Sequence, residues 1–430
     1  MRSIALFTIF ITAFLITANI HIYVQSLRLF IYAWHIFVPV IPLHIILAIT
    51  MGVLLKPDRA TTLYYVWWGC FLFVIGLSVV FVAGERGAIS EAVKYVTVGG
   101  IGVSFLAVVQ NRALAIAGAL GIACATLLAA GVSFAEFLNP DFTMIVDQRY
   151  EYDSIREGVI SRTGGLHINA NSNARIMALG MFVSCFFLQR NFRFVFCLIV
   201  GAAVFTTVSR SGMITWALAM VLLTALGQFS GGRLLAKVLG FSVVALLAVL
   251  LTTGKVPTLI AALGLEEFMS EQMVERVSEG FLAQEDGSTS SRKDLAHLAI
   301  ELYADNPILG AGLGSSSALG DVGLGSHNTL LQIAAELGTV GFITTLGLFL
   351  VPLILKSENG FCFMVLFCVS SMFAHSLMNK VTLSFILPAG LVLLSKLDQP
   401  VPRLSKASSR RRKRKRSRSG SNNRHVSARV

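Results

Sequence analysis

A chain of 430 residues with 55% hydrophobic and only 13% charged residues, and a mean hydropathy of +0.74, is too apolar for a soluble globular domain. Its formal charge of +12 does not describe the body of the molecule: from Lys396 onward there are 13 Lys/Arg and one acid, Asp398, so 13 − 1 = +12, and the remaining 22 basic and 22 acidic residues cancel. This excludes a basic nucleic-acid-binding face on the folded body and leaves a polytopic α-helical membrane protein.

Met1-Arg2 followed by apolar sequence to about Val24 is too long for the apolar region of a signal peptide and has no convincing cleavage site, so it reads as a first membrane helix. Apolar runs then recur at about 29–55, 63–83, 92–109, 113–134, 173–189, 194–208, 211–229, 234–253, 327–355, 361–378 and 381–395. Including the first, at about 4–24, about twelve spans are expected across a bilayer core of roughly 30 Å. All six cysteines (Cys70, Cys124, Cys185, Cys197, Cys362 and Cys368) lie in these runs, without a C-x-x-C pair or His at metal spacing. They read as packing residues, implying no disulfide framework and no metal site.

The positive-inside bias fixes an expected orientation. With a cytoplasmic N-terminus, Lys56, Arg59, Arg112, Arg190, Arg193, Arg233, Lys237 and Lys356 all fall on inner loops, while two long loops of mixed charge face outward. The expected organisation is transmembrane helices over 1–134, a first periplasmic loop over 135–172, helices over 173–253, a large periplasmic loop over 254–326, helices over 327–395 and a disordered basic cytoplasmic tail over 396–430. Seven consecutive basic residues, Arg410 to Arg416, stand among serines in that tail. They should be drawn to anionic lipid headgroups by about 1 kcal/mol per basic residue near the surface.

Residues of unusual type gather at the expected outer ends of the spans. Ser161-Arg162-Thr163-Gly164-Gly165 leads into Asn169-Ala170-Asn171, a turn of residues that accept unusual backbone angles or cap the next helix. Ser209-Arg210-Ser211-Gly212 puts an arginine between two apolar helices, at a helix start that favours anions; a snorkelling arginine meeting headgroups is the simpler account. Ser291-Arg292-Lys293-Asp294 resembles a capping box, with Leu295, Leu298, Ala299 and Leu302 forming one apolar stripe and Asn306-Pro307 as the stop. A helix is expected to start there, hold Arg292 at its positively polarised end, and lie on the membrane surface or on the bundle. Gly310, Gly312 and Gly314 follow no strand and precede no Gly-Lys-Ser/Thr, which excludes a nucleotide loop. Finally His327-Asn328 opens a span in which Asn328, Gln332 and Glu336 form a polar stripe about 12 Å deep, which should face the bundle or a water-filled cavity. His375, Asn379 and Lys380 are explained by an outer turn.

Arg162-x-x-Gly165 with Asn169 and Asn171, Ser209-Arg210-Ser211-Gly212, Arg292, Asn306-Pro307-x-x-Gly310-x-Gly312, and His327-Asn328-x-x-Leu331-Gln332-x-x-x-Glu336-x-Gly338 together resemble the bacterial O-antigen ligase and polysaccharide polymerase superfamily over about 160–345. The chain has Asn169-Ala170-Asn171 where that family often has Asn-Pro-Asn, and the basic tail is not part of its pattern. The resemblance implies an all-α bundle of the C-type membrane glycosyltransferase kind with a large helical extracytoplasmic loop. It further implies a metal-independent enzyme of the bacterial inner membrane, with its active site on the periplasmic side and no cofactor. The donor would be an undecaprenyl-diphosphate-linked glycan, and the acceptor a growing glycan or lipid A-core.

Carried over residue by residue, Arg210, Arg292 and His327 are the expected catalytic residues, with Arg162 as an added binding residue. The chemistry of the side chains agrees. Guanidinium groups grip diphosphate oxygens and stay charged, and an imidazole has the intrinsic pKa of a general base. Asn171, Asn328, Gln332 and Glu336 are the further expected substrate-binding residues. Polymerase, ligase and protein-glycosylating roles are not separated by sequence, although the reading leans to a polymerase or exopolysaccharide role. The competing class, a transporter or flippase of lipid-linked glycans, predicts internal repeats and ionisable residues near the bilayer midplane, and neither is evident. A purely structural anchor leaves the converging arginines and histidine unexplained.

Overall fold

The structure is a computed structural model and describes residues 2–20, 38–53, 57–82, 87–139, 163–167, 169–229, 287–317, 328–374 and 381–398. Among these residues all regular structure is helical: α1 (Arg2–Thr17), α2 (Val40–Thr50), α3 (Arg59–Phe81), α4 (Gly87–Val108), α5 (Arg112–Leu138), α6 (Ala170–Cys185), α7 (Arg190–Thr206), α8 (Arg210–Ala225), α9 (Gly287–Asp305), α10 (Thr329–Leu346), α11 (Leu350–Leu355), α12 (Glu358–Ser371) and α13 (Val381–Asp398). Among the described residues four stretches, Arg59–Phe81, Ala88–Val108, Arg112–Leu138 and Thr329–Leu355, are long and apolar enough to cross a membrane, and five shorter apolar helices accompany them. The chain is an integral membrane protein. The expected span over 234–253, the first residues of that over 29–55, the loop residues 140–162 and 254–286, and the tail from Gln399 lie outside the described residues.

Helix faces follow from side-chain spacing. In α3, Tyr64, Trp67, Trp68, Phe71, Val74 and Ile75 recur at helical intervals and are buried, whereas Val66, Phe73, Val80 and Phe81 are exposed on the other side. A helix this apolar with one exposed apolar face is the pattern of a bundle helix facing lipid. The centre is different: α6 is buried at every residue from Ser172 to Cys185, and α13 from Val381 to Ser395. These two helices pack against each other, with the remaining helices around them.

Helix starts are set by caps that a hydropathy scan does not count. Asp58, Asn111, Asn169, Ser209, Asn328 and Ser357 each accept a backbone N–H from the first turn that follows. Most of these helices therefore begin one to four residues before the expected apolar run. One start differs for another reason. Helix α9 begins at Gly287, so Ser291 lies inside it and not at its cap, and Arg292 sits in the second turn. The apolar stripe is as read: Ala299 is buried and Leu295, Leu298 and Leu302 half-buried, while Asp294, His297 and Glu301 are exposed. The stripe packs on α10, so α9 lies on the bundle.

The bundle has two polar ends. At one, Lys396 pairs with Asp58 (Nζ–Oδ2 2.8 Å) and also donates to the Val109 carbonyl. There Arg190 donates to the carbonyls of Phe229 and Gly227 (3.2 and 3.0 Å), and Arg193 to those of Leu188 and Gln228 (3.0 and 3.2 Å). Arg59, Arg112 and Lys356, on the helix ends that meet there, belong to the same end. The other end carries the starts of α6, α8, α10 and α13.

Candidate functional site

At that second end the chain builds a corner around Arg210, the half-buried first residue of α8. Val208 just before it takes φ 48°, a left-handed conformation that is costly for a β-branched residue. The turn is held by its neighbours: Thr207 Oγ1 donates to the Val204 carbonyl (2.7 Å) and accepts from Ser209 N–H (3.2 Å). Ser209 caps α8 by accepting from Gly212 N–H (3.2 Å) and donates its own hydroxyl proton to Asn171 Oδ1 (2.8 Å). A Cβ on Gly212 would lie 2.2 Å from the Ala174 Cβ, so this glycine is what lets α8 approach α6. Every residue of Ser209-Arg210-Ser211-Gly212 except Ser211 thus has an evident place in bringing the arginine to the first turn of α6.

Helix α6 carries the corner across the bundle end. Asn169 caps it by accepting from the N–H groups of Asn171 and Ser172 (3.0 and 3.2 Å). Asn173, fully buried, donates to Ser133 Oγ (2.7 Å), and Gly165 N–H in the preceding turn donates to Glu136 Oε2 (2.8 Å). Arg175, 4% exposed, donates to the Phe373 carbonyl (2.7 Å) at the end of α12. One residue on, the Ala374 carbonyl accepts from Thr329 Oγ1 (2.6 Å), the first residue of α10. A chain of hydrogen bonds therefore joins the start of α8, with Arg210, to the start of α10, capped by Asn328.

Helix α10 is broken two turns in. Gly338 takes φ 65°, ψ −164°, so the helix cannot pair Thr339 and Val340 N–H with the Ala335 and Glu336 carbonyls four residues back. Four backbone groups are released inside an apolar bundle, where each would be expensive if unpaired. The segment leaving α9 takes up all four. Ala311 N–H donates to the Ala335 carbonyl (2.8 Å) and Gly312 N–H to that of Glu336 (3.1 Å), while the Pro307 and Ile308 carbonyls accept from Thr339 and Val340 N–H (2.8 and 3.3 Å). The approach is too close for side chains: a Cβ on Gly310 would fall 2.4 Å from the Glu336 carbonyl carbon, and one on Gly338 2.3 Å from the Ile308 carbonyl oxygen. Both are in the left-handed region that glycine alone adopts freely. Asn306-Pro307-x-x-Gly310-x-Gly312 and Glu336-x-Gly338 are thus two halves of one backbone junction.

The side chains below the junction complete it. Glu336, 2% exposed, accepts from Ser316 Oγ and from Gln332 Nε2 (3.0 Å) on the same oxygen, and the Gly314 N–H also hydrogen-bonds to its carboxylate. Glu91, ion-paired with Lys94 on α4, packs against Gly314, with the buried Tyr95 one turn further along.

Among the expected site residues, Arg210, Asn171 and Asn328 are thus placed at one bundle end, with Gln332 and Glu336 beneath Asn328. Asn328 accepts from Leu330 and Leu331 N–H (3.0 and 3.1 Å) as the α10 cap. Arg292 is placed by its backbone alone, and Arg162 and His327 lie outside the described residues, as do His375, Asn379 and Lys380. Sequence reasoning passed over Arg175, Ser316 and the Glu91–Lys94 pair. Arg175 had a usable signal, an arginine six residues past the Asn169 cap of an otherwise apolar helix. Ser316 had none, since its role depends on how the glycine segment folds back.

A family model described as O-antigen ligase matches residues 194–346. The match contains Arg210, Arg292, the glycine segment, His327 and the whole of the broken helix, and it leaves out Arg162 and Asn171. Among curated proteins none matches the chain.

Proposed function

We propose that this chain, whose residues 194–346 match the O-antigen ligase family, is a membrane enzyme that transfers glycans, taking its glycan from an undecaprenyl-diphosphate carrier and passing it to an acceptor hydroxyl in surface polysaccharide assembly. The observation that carries this reading is the hydrogen-bonded chain from Ser209 through α6 and α12 to Thr329. It ties the helix start bearing Arg210 to the helix start that follows His327.

The reaction breaks the bond between the anomeric carbon and the diphosphate oxygen, and the lipid diphosphate leaves with the electron pair. Arg210 and Arg292 bind that diphosphate and stabilise the charge that grows on it, the kind of fixed electrostatic contribution that dominates many enzymes and needs no metal here. His327 takes the proton of the attacking acceptor hydroxyl. Arg162, Asn171 and Asn328 line the donor or acceptor side.

The membrane is the bacterial inner membrane, crossed about twelve times. The end holding Arg59, Arg112, Arg190, Arg193 and Lys356 faces the cytoplasm, by the positive-inside bias, and the site faces the periplasm. The basic tail then meets anionic headgroups of the cytoplasmic leaflet. A broken membrane helix is also a feature of transporters, whose freed carbonyls hold ions. Here the carbonyls freed at the break are taken by Ala311 and Gly312 N–H, which favours the transferase reading over the transporter.

In a strain lacking the gene, Arg210→Ala, Arg292→Ala and His327→Ala should each cut high-molecular-weight surface glycan by about 100-fold or more while the protein still inserts. Single repeat units on the surface would identify a polymerase, and full-length chains held on the lipid carrier a ligase. Undiminished glycan in all three variants would reject the site.

A further inference from the structure

Gln332 and Glu336 fall on the polar stripe beneath Asn328, where a substrate ligand would be sought. We propose instead that Glu336, with Gln332 and Ser316, is a positioning clasp: it holds the 306–316 segment on the broken helix and thereby sets where α9 carries Arg292. The inference rests on the transferase reading for what Arg292 does, and on the geometry alone for what the clasp holds.

Three observations carry it. Glu336 and Gln332 are 2% and 3% exposed, and one carboxylate oxygen of Glu336 accepts from both Gln332 Nε2 and Ser316 Oγ. Five amides of the glycine segment are committed within the protein: Gly310 N–H to the Asn306 carbonyl, Ala311 and Gly312 to α10, Gly314 to Glu336 and Ser315 to the Gly312 carbonyl. A segment so committed is a bracket and not a phosphate cradle. The junction also grips the end of α9 directly, since Tyr303 hydroxyl and Thr339 Oγ1 lie 2.8 Å apart and Thr339 Oγ1 donates to the Pro307 carbonyl (2.7 Å). From Asp305 back to Arg292 is thirteen helical steps, a lever of about 20 Å. A small rotation at the clasp displaces Arg292 by more than an ångström, and misplacement on that scale costs on the order of 100-fold in rate.

The carboxylate is needed as an acceptor shared by three donors, so a neutral acceptor should replace it. Glu336→Ala is expected to lower glycan output per inserted molecule by about 100-fold and to speed hydrogen–deuterium exchange of the 310–316 amides. Glu336→Gln, which keeps an oxygen for Ser316 and Gln332 and gives up at most the Gly314 contact, should hold output within about fivefold of the natural protein and leave exchange of the amides other than Gly314 close to native. Should Glu336→Ala fail to insert, Ser316→Ala removes one donor and tests the same contact, with faster exchange expected over the same amides. A Glu336→Gln protein as inactive as Glu336→Ala, with native exchange, would overturn the proposal in favour of a charge acting on substrate. Native exchange in Glu336→Ala and in Ser316→Ala would overturn it as well. If glycan output is undiminished in Arg210→Ala, Arg292→Ala and His327→Ala, the transferase reading falls, and the exchange data still decide whether the clasp exists.

Discussion

The two ends of this bundle use arginine and lysine in opposite ways. At the end with Lys396, the basic side chains are structural: Arg190 and Arg193 reach carbonyls at the ends of α6 and α8, and Lys396 joins Asp58 and the Val109 carbonyl across three helices. At the other end the bonds between helix ends run through amides and hydroxyls, Asn171 with Ser209, Asn173 with Ser133 and Thr329 with Ala374, and Arg175 is used there as the opposite end uses its arginines. The difference separates a charge that closes a helix end from a charge that a framework delivers. Basic residues are common at both ends, so their number carries no functional information. What distinguishes Arg210 is that neutral side chains have already built the turn it stands on.

The largest effect should come from breaking the junction beneath the delivered charges. Gly338→Ala places a Cβ 2.3 Å from the Ile308 carbonyl oxygen at φ 65°, with backbone on both sides that cannot yield cheaply. A loss of about 3 kcal/mol or more is expected, read as a fall in the melting temperature of the purified protein or as failed insertion. Gly347→Ala lies in the same run of chain at an ordinary φ, with the Trp67 ring 3.8 Å away, and should stay within about 0.5 kcal/mol. Equal losses in both would mean that glycine replacement is harmful there for reasons unrelated to the break.

Arg193→Ala sharpens the contrast between the ends. It removes charged donors from the Leu188 and Gln228 carbonyls, and about 2 kcal/mol of stability should go with them. Glycan output per inserted molecule should then change by no more than about twofold, because the lesion lies at the far end of α6 and α8. Arg210→Ala should show the reverse, a large loss of output with little change in melting temperature. If the two variants behave alike, the distinction between the ends is wrong.

Much of this was legible in the sequence because membrane helices announce themselves by composition and caps by residue type. The motifs around Arg210 and Asn328 could be placed at helix starts before any coordinates. The break at Gly338 could not. Leu331 to Leu346 reads as one continuous helix, and although Gly338 closes the motif that begins at His327, neither composition nor spacing marks it as a break where Gly341 stays helical. The break exists because a segment about thirty residues earlier supplies its missing hydrogen bonds, and such pairing is invisible to any window of sequence. The same non-local origin hides the partner of Glu336: its depth was evident, whereas its donor Ser316 became a neighbour only through the fold. The start of α9 was misplaced for the opposite reason, since Ser291 and Asp294 imitate a cap within a helix that has already begun.

The smallest effect is also the most specific to the delivering end. Ser209→Ala removes the α8 cap and the donor to Asn171 together, and about 1 kcal/mol of stability should be lost, as for other capping hydroxyls. Asn171→Ala removes the other half of the Ser209–Asn171 bond while leaving the cap intact. If that bond is what ties α8 to α6, the double variant should cost less than the sum of the singles by about 0.5 kcal/mol or more, since the second mutation finds the contact already gone. Ser209→Thr keeps the hydroxyl and should recover most of the loss. Simple additivity would mean that the close packing of Gly212 on Ala174 holds the two helices together unaided, with the Asn171 hydrogen bond incidental to where Arg210 stands.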